Sequence, residues 1–100
     1  MQDRAPQQFP IALTHSVAIG RQPTEKEIAE LSNSGFKSIV NLRGSQEMNQ
    51  PISPTEEGRL VERAGMSYLH HAITVAELDD RWMENFIEML GHVDKPVLVH

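Results

Sequence analysis

Short apolar runs alternate with amphipathic stretches along most of this chain. Four runs rich in Val, Ile and Leu have the length and composition of β-strands: residues 15–19, 37–42, 67–73 and 95–100. In the three stretches between them, apolar residues recur at helical spacing. This alternation of strands and helices predicts an α/β fold, with a mainly parallel open sheet and helices on both faces.

The predicted helices begin at residues that cap helix N-termini. Thr24 and Glu27 form a capping box. Ser53 precedes a proline at the first helical position, and either Asp79 or Asp80 caps the third helix. The apolar stripes expected to face the sheet are Ile28 and Leu31; Leu60, Val61 and Ala64; and Trp82, Phe86, Ile87 and Leu90.

Composition and charge narrow the range of functions. One hundred residues suffice for one domain, which we place at residues 11–100 behind a flexible arm at residues 1–10. The net charge of −5 argues against nucleic-acid and anionic-membrane partners. No apolar run is long enough to span a membrane, and the polar start lacks a secretory signal, so we expect a cytoplasmic protein. The absence of cysteine excludes disulfides, thiolate metal sites and a cysteine nucleophile within these residues.

Three sequence blocks together resemble a known family. They are Gly-Arg-Gln-Pro at 20–23, Gly-Phe-Lys-Ser-Ile-Val-Asn-Leu-Arg at 35–43 followed by Glu47, and Pro-Val-Leu-Val-His at 96–100. In this order and spacing they resemble the β-lactamase-hydrolase-like proteins, bacterial members of the dual-specificity and protein-tyrosine phosphatase fold. The resemblance extends over about residues 17–100.

In that family, a strand ending in a Val-His-type segment leads directly into a loop of Cys, five residues and Arg. Such a loop holds phosphate with backbone amides at a helix N-terminus, where a thiol is also activated as a nucleophile. The resemblance therefore implies hydrolysis of a phosphomonoester, of unknown substrate class, through a cysteinyl-phosphate intermediate and without a cofactor. It would place the Cys directly after His100. We therefore expect a truncated domain, without its phosphate-binding loop and C-terminal helices, and no turnover from these residues alone.

The resemblance also implies a general acid after the third strand, in residues 74–80. Glu77 aligns with the family's usual Asp and would protonate the leaving oxygen and then activate water. Asp79 and Asp80 are alternatives, although an acid at a helix start more simply caps the helix.

Two further residues would support the substrate site. Arg43 would brace the phosphate loop or pair with Glu47, or it is a surface cation; we favour the ion pair. His100 would orient the loop or favour the thiolate, and without the loop we expect an exposed histidine at a strand end. His70 and His71 would point to opposite faces of their strand, so we predict no metal site there.

Two other functions remain open from the sequence. A rhodanese-like sulfurtransferase also carries its Cys in a loop after a central parallel strand, and a non-catalytic regulatory module would have lost that loop. Because the last strand would lack a covering helix, we also expect exposed apolar surface there. We therefore predict that the isolated 100-residue chain aggregates or self-associates, for example as a homo-oligomer, unless more polypeptide follows.

Overall fold

The computed structural model describes residues 9–44, 52–73 and 79–100. These residues form a sheet of strand order β1-β2-β5-β3-β4, in which only the β1–β2 pair is antiparallel. The elements are β1 Ile11–Ala12, β2 Val17–Ile19, α1 Glu25–Asn33, β3 Ser38–Asn41, α2 Pro54–Arg63, β4 Ser67–His70, α3 Asp80–Leu90 and β5 Val97–Val99. The predicted α/β class and the mainly parallel sheet are confirmed.

The sequence pattern does not predict β1. This strand is two residues long and pairs Ile11 with Ile19 across a tight turn. In the turn, the Thr14 hydroxyl accepts hydrogen bonds from the backbone N–H groups of Ser16 at 3.1 Å and Val17 at 3.0 Å. A strand of two residues is too short to show alternation, so only its pairing defines it.

Helices cover both faces of the sheet. One core layer lies between the sheet and helices α1 and α2, and consists of Ala18, Ile28, Leu31, Ile39, Val61, Met66 and Leu98. The second layer lies beneath α3 and is built on Val40, Val97 and Val99, with Phe86, Met89 and Leu90 packed against them. Successive residues of β3 and β5 therefore alternate between the two layers, as the pleat of a strand requires.

Strand β5 lies in the centre of the sheet, between β2 and β3. Val97, Leu98 and Val99 are 0%, 0% and 7% exposed. The expectation of open apolar surface on the last strand is therefore wrong, because the last strand in the sequence is the middle strand in space and has helices on both faces.

Exposed apolar side chains lie instead on α3, where Met83 is 43% and Ile87 62% exposed, and next to β1, where Leu13 is 59% exposed. The prediction that Ile87 faces the sheet is wrong, because the side chains that contact the second core layer are Phe86, Met89 and Leu90. Within the described ranges, no helix combines the length and apolar character needed to cross a membrane.

The first two helices are capped as predicted. The Thr24 hydroxyl accepts from the N–H of Glu27 at 3.2 Å, and Glu27 Oε1 accepts from the N–H of Thr24 at 3.0 Å, which completes the capping box. Ser53 Oγ accepts from the N–H of Glu56 at 3.1 Å, with proline at the first helical position. These local bonds set where α1 and α2 begin.

Glu27 also holds the loop after β2. Arg21 Nη1 and Nη2 donate to its two carboxylate oxygens at 2.7 Å each, and the guanidinium carbon lies 4.3 Å from the centre of the Phe9 ring. The hydrogen bond from Arg21 is the main reason that the pKa of Glu27 is lowered to about 2. Residues 1–8 of the predicted arm lie outside the described residues.

Glu27→Gln should remove a pH-dependent part of the free energy of unfolding. The pKa of Glu27 is about 2 in the folded protein against its usual 4.5. Its contribution is therefore fully present above pH 4.5 and is lost as the pH falls toward 2. We expect wild type to exceed the variant by about 1 kcal/mol or less at neutral pH, because the pair is partly exposed.

Urea denaturation across this pH range measures the difference, which should shrink toward pH 2 and vanish below it. Glu30→Gln, at an exposed position of the same helix, is the matched control. A difference between wild type and Glu27→Gln that does not change with pH would contradict the ion pair.

Candidate functional site

The carboxyl ends of the parallel strands meet at one edge of the sheet. In open α/β sheets, ligands bind at this edge, just beyond the strand ends. Asn41 ends β3, His70 ends β4 and His100 follows β5. This carboxyl edge is the candidate site.

The pleat of the sheet directs Asn41 and His100 toward α2. Ile39 and Leu98 lie in the core layer beneath α1 and α2, and a side chain two positions further along a strand faces the same side. His100 still belongs to the sheet, because its N–H donates to the carbonyl of Val40 at 3.0 Å.

Glu57 of α2 meets both side chains in the interior, where it is 0% exposed. His100 Nε2 donates to Glu57 Oε2 at 2.6 Å, and Asn41 Nδ2 donates to Oε1 at 3.0 Å. The Tyr68 hydroxyl lies 3.5 Å from Oε1. Burying a carboxylate is costly unless hydrogen-bond donors replace its water, and these three side chains supply them. We call Glu57, Asn41, Tyr68 and His100 the Glu57 network.

Asn41 connects the Glu57 network to the loop after β3. Its Nδ2 donates both to Glu57 and to the Tyr68 hydroxyl, the latter at 2.9 Å, and its Oδ1 accepts from the N–H of Arg43 at 2.8 Å. Because the amide nitrogen faces two oxygens and the amide oxygen faces an N–H, only one orientation of the amide satisfies every bond. Asn41 therefore fixes the start of a loop at the carboxyl edge.

Tyr68 reaches the network by crossing α2 at Gly58. A Cβ atom at position 58 would lie 2.8 Å from Cδ2 of the Tyr68 ring, so this close approach requires glycine. Burial is the main reason that the pKa of Tyr68 is raised to about 12, and the nearby charge of Glu57 raises it further, against the lowering effect of the hydrogen bond from Asn41.

The expectation that His100 is an exposed strand-end histidine is wrong. Its side chain is 1% exposed. The alternation of β5 turns the ring under α2, where the Glu57 carboxylate provides the partner that burial of a polar group requires. The other ring nitrogen, Nδ1, is also buried, and no described residue forms a hydrogen bond with it.

His70, the last residue of β4, and His71, which follows it, contact different elements. His70 Nε2 donates to the carbonyl of Arg43 at 2.6 Å, whereas the ring of His71 lies 5.3 Å from that of Trp82 on α3. The neighbouring histidines are thus separated, as strand alternation predicts. Glu47, the predicted partner of Arg43, lies outside the described residues, and the ion pair stays a prediction.

The predicted general acids lie at the start of α3 and before it. Glu77 falls in residues 74–78, outside the described part of the chain. Asp79 is the N-cap of α3, where its Oδ1 accepts from the N–H of Trp82 at 2.8 Å, and Asp80 is the first helical residue. Capping by Asp79 is confirmed, and a catalytic role for Glu77 or Asp79 stays a prediction.

The sequence pattern alone does not mark Glu57, Asn41 or Tyr68 as site residues. A signal for Glu57 exists, since it lies four positions before Val61 on the buried stripe of α2, and a buried glutamate nearly always has a partner. Tyr68 carries no comparable signal, because its contact with Gly58 exists only once α2 packs against β4.

Two other features of the described residues bear on ligand binding. Within the described ranges, no three His, Cys, Asp or Glu side chains lie close enough to hold a metal ion. A groove of about 250 Å³ is lined by the first three residues of β3 and of β4 and by residues 92–94. It lies toward the amino ends of these strands, and its lining includes Tyr68 but not Asn41, Glu57 or His100.

Comparison with known proteins gives consistent matches. Residues 11–100 match the family model described as β-lactamase hydrolase-like protein, phosphatase-like domain. Two curated β-lactamase hydrolase-like proteins, from Xylella fastidiosa strains Temecula1 and 9a5c, are each 28% identical over 91 residues. These matches cover 90% of this chain but 21% of each relative, so the chain spans about a fifth of their length.

Solved structures share the fold. A candidate phosphatase from Neisseria meningitidis matches with a TM-score of 0.78 and 22% identity, over 88% of this chain and 63% of that one. A candidate phosphatase from Shewanella putrefaciens matches with a TM-score of 0.76 and 25% identity, over 91% and 57%. Tk-PTP in its active form matches with a TM-score of 0.56 and 25% identity, over 91% and 60%.

Gly58→Ala should destabilise the protein by about 1–3 kcal/mol, because the new Cβ overlaps the Tyr68 ring. In an unobstructed helix interior the same change stabilises by about 0.5–1 kcal/mol. Guanidinium denaturation measures the effect. In a Tyr68→Ala background, Gly58→Ala should instead stabilise the protein, as it does in an unobstructed helix. If Gly58→Ala stabilised the wild-type protein, the Tyr68 ring would not constrain position 58.

The hydroxyl of Tyr68 should ionise near pH 12 in the folded protein. The pKa is raised from its usual 10.0, so the associated stability is present below pH 10 and is lost as the pH rises toward 12. Tyr68 is the only tyrosine in the sequence, so ultraviolet absorbance of the phenolate reports it alone. The urea-unfolded chain, with a midpoint near the usual value, is the control; a folded-state midpoint equal to it would contradict the burial of the hydroxyl.

Proposed function

Since this chain belongs to the phosphatase-like domain family of the β-lactamase hydrolase-like proteins, we propose that its protein hydrolyses phosphomonoesters through a cysteinyl-phosphate intermediate. The observation that carries this proposal is the position of His100. It follows the central strand at the carboxyl edge and is held there by the backbone of β3 and by Glu57. A loop that begins after His100 would therefore have its first residue held in place.

The nucleophile of this proposal lies beyond the residues described here. The 100 residues contain no cysteine, so the proposed Cys and phosphate-binding Arg would follow His100. A loop that runs from a central strand into a helix N-terminus offers its backbone amides to a phosphate. We accordingly propose that the 100 residues alone have no turnover.

In the proposed reaction, the thiolate attacks phosphorus and the bond from phosphorus to the leaving oxygen breaks. A carboxylic acid protonates that oxygen; as a carboxylate it then activates a water, which attacks phosphorus, breaks the P–S bond and releases phosphate. We propose Glu77 as this acid, because Asp79 already accepts the capping hydrogen bond of α3. Arg43, whose backbone is held by Asn41 and His70, would border the phosphate loop.

The test uses the full-length natural protein. Hydrolysis of p-nitrophenyl phosphate should proceed in the presence of EDTA, and replacing the first cysteine after His100 by serine should abolish it. Rapid quenching with a radiolabelled ester should trap phosphate on that cysteine. Transfer of sulfur from thiosulfate to cyanide, without ester hydrolysis, would instead support a rhodanese-like enzyme. Absence of both activities would support a non-catalytic module.

Glu77→Gln should lower kcat for an alkyl phosphate by about 10²–10⁴ in the full-length protein, because the leaving alkoxide needs a proton. The loss should be smaller for p-nitrophenyl phosphate, whose leaving group departs readily without protonation. Glu84→Gln, an exposed carboxylate change on α3, is the control. Equal losses for the two leaving groups would argue against Glu77 as the acid.

A further inference from the structure

We propose that Glu57 is a positioning residue, which holds the His100 ring with Nδ1 as a hydrogen-bond acceptor for a backbone N–H of the loop that follows. This inference rests on the proposed function. Glu57 lies on α2 beneath the sheet edge and acts only through His100, with which it shares the 2.6 Å hydrogen bond.

The hydrogen bond between Glu57 and His100 fixes where the imidazole proton lies. A carboxylate oxygen accepts hydrogen bonds, so Nε2 of His100 carries a proton. In a neutral imidazole the remaining nitrogen then has a free lone pair, so Glu57 determines the tautomer of the ring. The Nδ1 lone pair is buried, and none of the described residues donates to it. Buried polar atoms in proteins nearly always form hydrogen bonds, so we expect Nδ1 to accept a hydrogen bond.

The location of Nδ1 indicates where that donor comes from. Nδ1 is bonded to Cγ and is the ring nitrogen nearer the main chain, whereas Nε2 points inward to Glu57. The N–H of His100 itself is already used in the sheet, where it donates to the carbonyl of Val40. In the proposed continuation of the chain, a backbone N–H of the residues after His100 would supply the donor. A bond to it would orient the loop so that its remaining amides face a bound phosphate.

The rest of the network keeps Glu57 from turning. Its Oε1 faces Asn41 Nδ2 and the Tyr68 hydroxyl, which leaves Oε2 for His100. Asn41 cannot reverse its amide, because its Oδ1 accepts from the N–H of Arg43. An apolar side chain would fill the same volume on α2, so a carboxylate held from both sides indicates a role in orientation rather than in packing alone.

Glu57→Gln makes the inference testable, because the substitution keeps the shape and exchanges one acceptor for a donor. The glutamine oxygen must face Asn41 and Tyr68, which donate, so its NH₂ group must face His100. Nε2 then has to accept, and the proton moves to Nδ1. The Nδ1 lone pair is lost, and with it the bond to the loop.

The first measurement is long-range ¹H–¹⁵N NMR of the histidine ring in the 100-residue chain, with His100→Gln identifying the signals. We expect the Nε2–H tautomer in wild type and in the control Glu56→Gln, and mainly the Nδ1–H tautomer in Glu57→Gln. An Nδ1–H tautomer in wild type, or an identical tautomer in Glu57→Gln, would overturn the inference.

The second measurement is steady-state hydrolysis of p-nitrophenyl phosphate by the full-length protein, normalised to active sites by the size of the initial burst. We expect Glu57→Gln to lower kcat by about tenfold to a hundredfold with little change in KM, whereas Glu56→Gln retains wild-type values. Loss of folded protein alone would shrink the burst and leave the normalised kcat unchanged. An inactive wild type refutes the proposed function and this inference together; an active wild type with an unimpaired Glu57→Gln variant refutes this inference alone.

Discussion

A fully buried carboxylate must be surrounded by donors, and this requirement at Glu57 organises the carboxyl edge of the sheet. The donors come from three different strands: Asn41 from the end of β3, Tyr68 from β4 and His100 from the residue after β5. Leaving a buried charge without its partner costs about 3–5 kcal/mol, a large share of the roughly 5–15 kcal/mol that stabilises a typical domain. If α2 packed on the sheet in another register, Glu57 would lose these donors and the protein would be destabilised accordingly.

The order of the strands explains why the candidate site lies where it does. β5 inserts between β2 and β3, so the central position of the sheet is filled by the strand farthest along the chain. Its three residues are buried by α1 and α2 on one face and by α3 on the other. β5 ends at the middle of the carboxyl edge, and the residue that follows it is the buried His100. A phosphate-binding loop starting there would have packed helices on both sides, which suits the phosphatase-like family to which the chain belongs.

Local patterns predict most of the fold. The capping box at Thr24 and the Ser53 cap mark helix starts, and Gly35 and Gly65 take the positive φ angles of 102° and 89° that end α1 and α2. Strand alternation correctly separates His70 from His71. The predictions fail where contacts between residues distant in the sequence determine the structure. β1 is too short to show a period, and the exposure of Ile87 depends on which side of α3 meets the sheet.

The candidate site is harder to predict than the fold, because its decisive contacts join residues far apart in the sequence. Glu57 and His100 are separated by 43 positions. Alternation from Leu98 predicts which face His100 takes, and helical spacing from Val61 predicts which face Glu57 takes. Their meeting becomes apparent only when both patterns are combined with the strand order, which the sequence pattern alone does not provide.

The free energy of coupling between Glu57 and His100 is the most direct measure of whether this buried pair organises the edge. A double-mutant cycle in the 100-residue chain, with Glu57→Leu, His100→Leu and both together, gives it from urea denaturation, because leucine forms no hydrogen bond at either position. We predict a coupling of about 1.5–3 kcal/mol, as expected for a buried hydrogen bond to a charged group. Additivity within about 0.5 kcal/mol would show that the two side chains are energetically independent and would contradict the account.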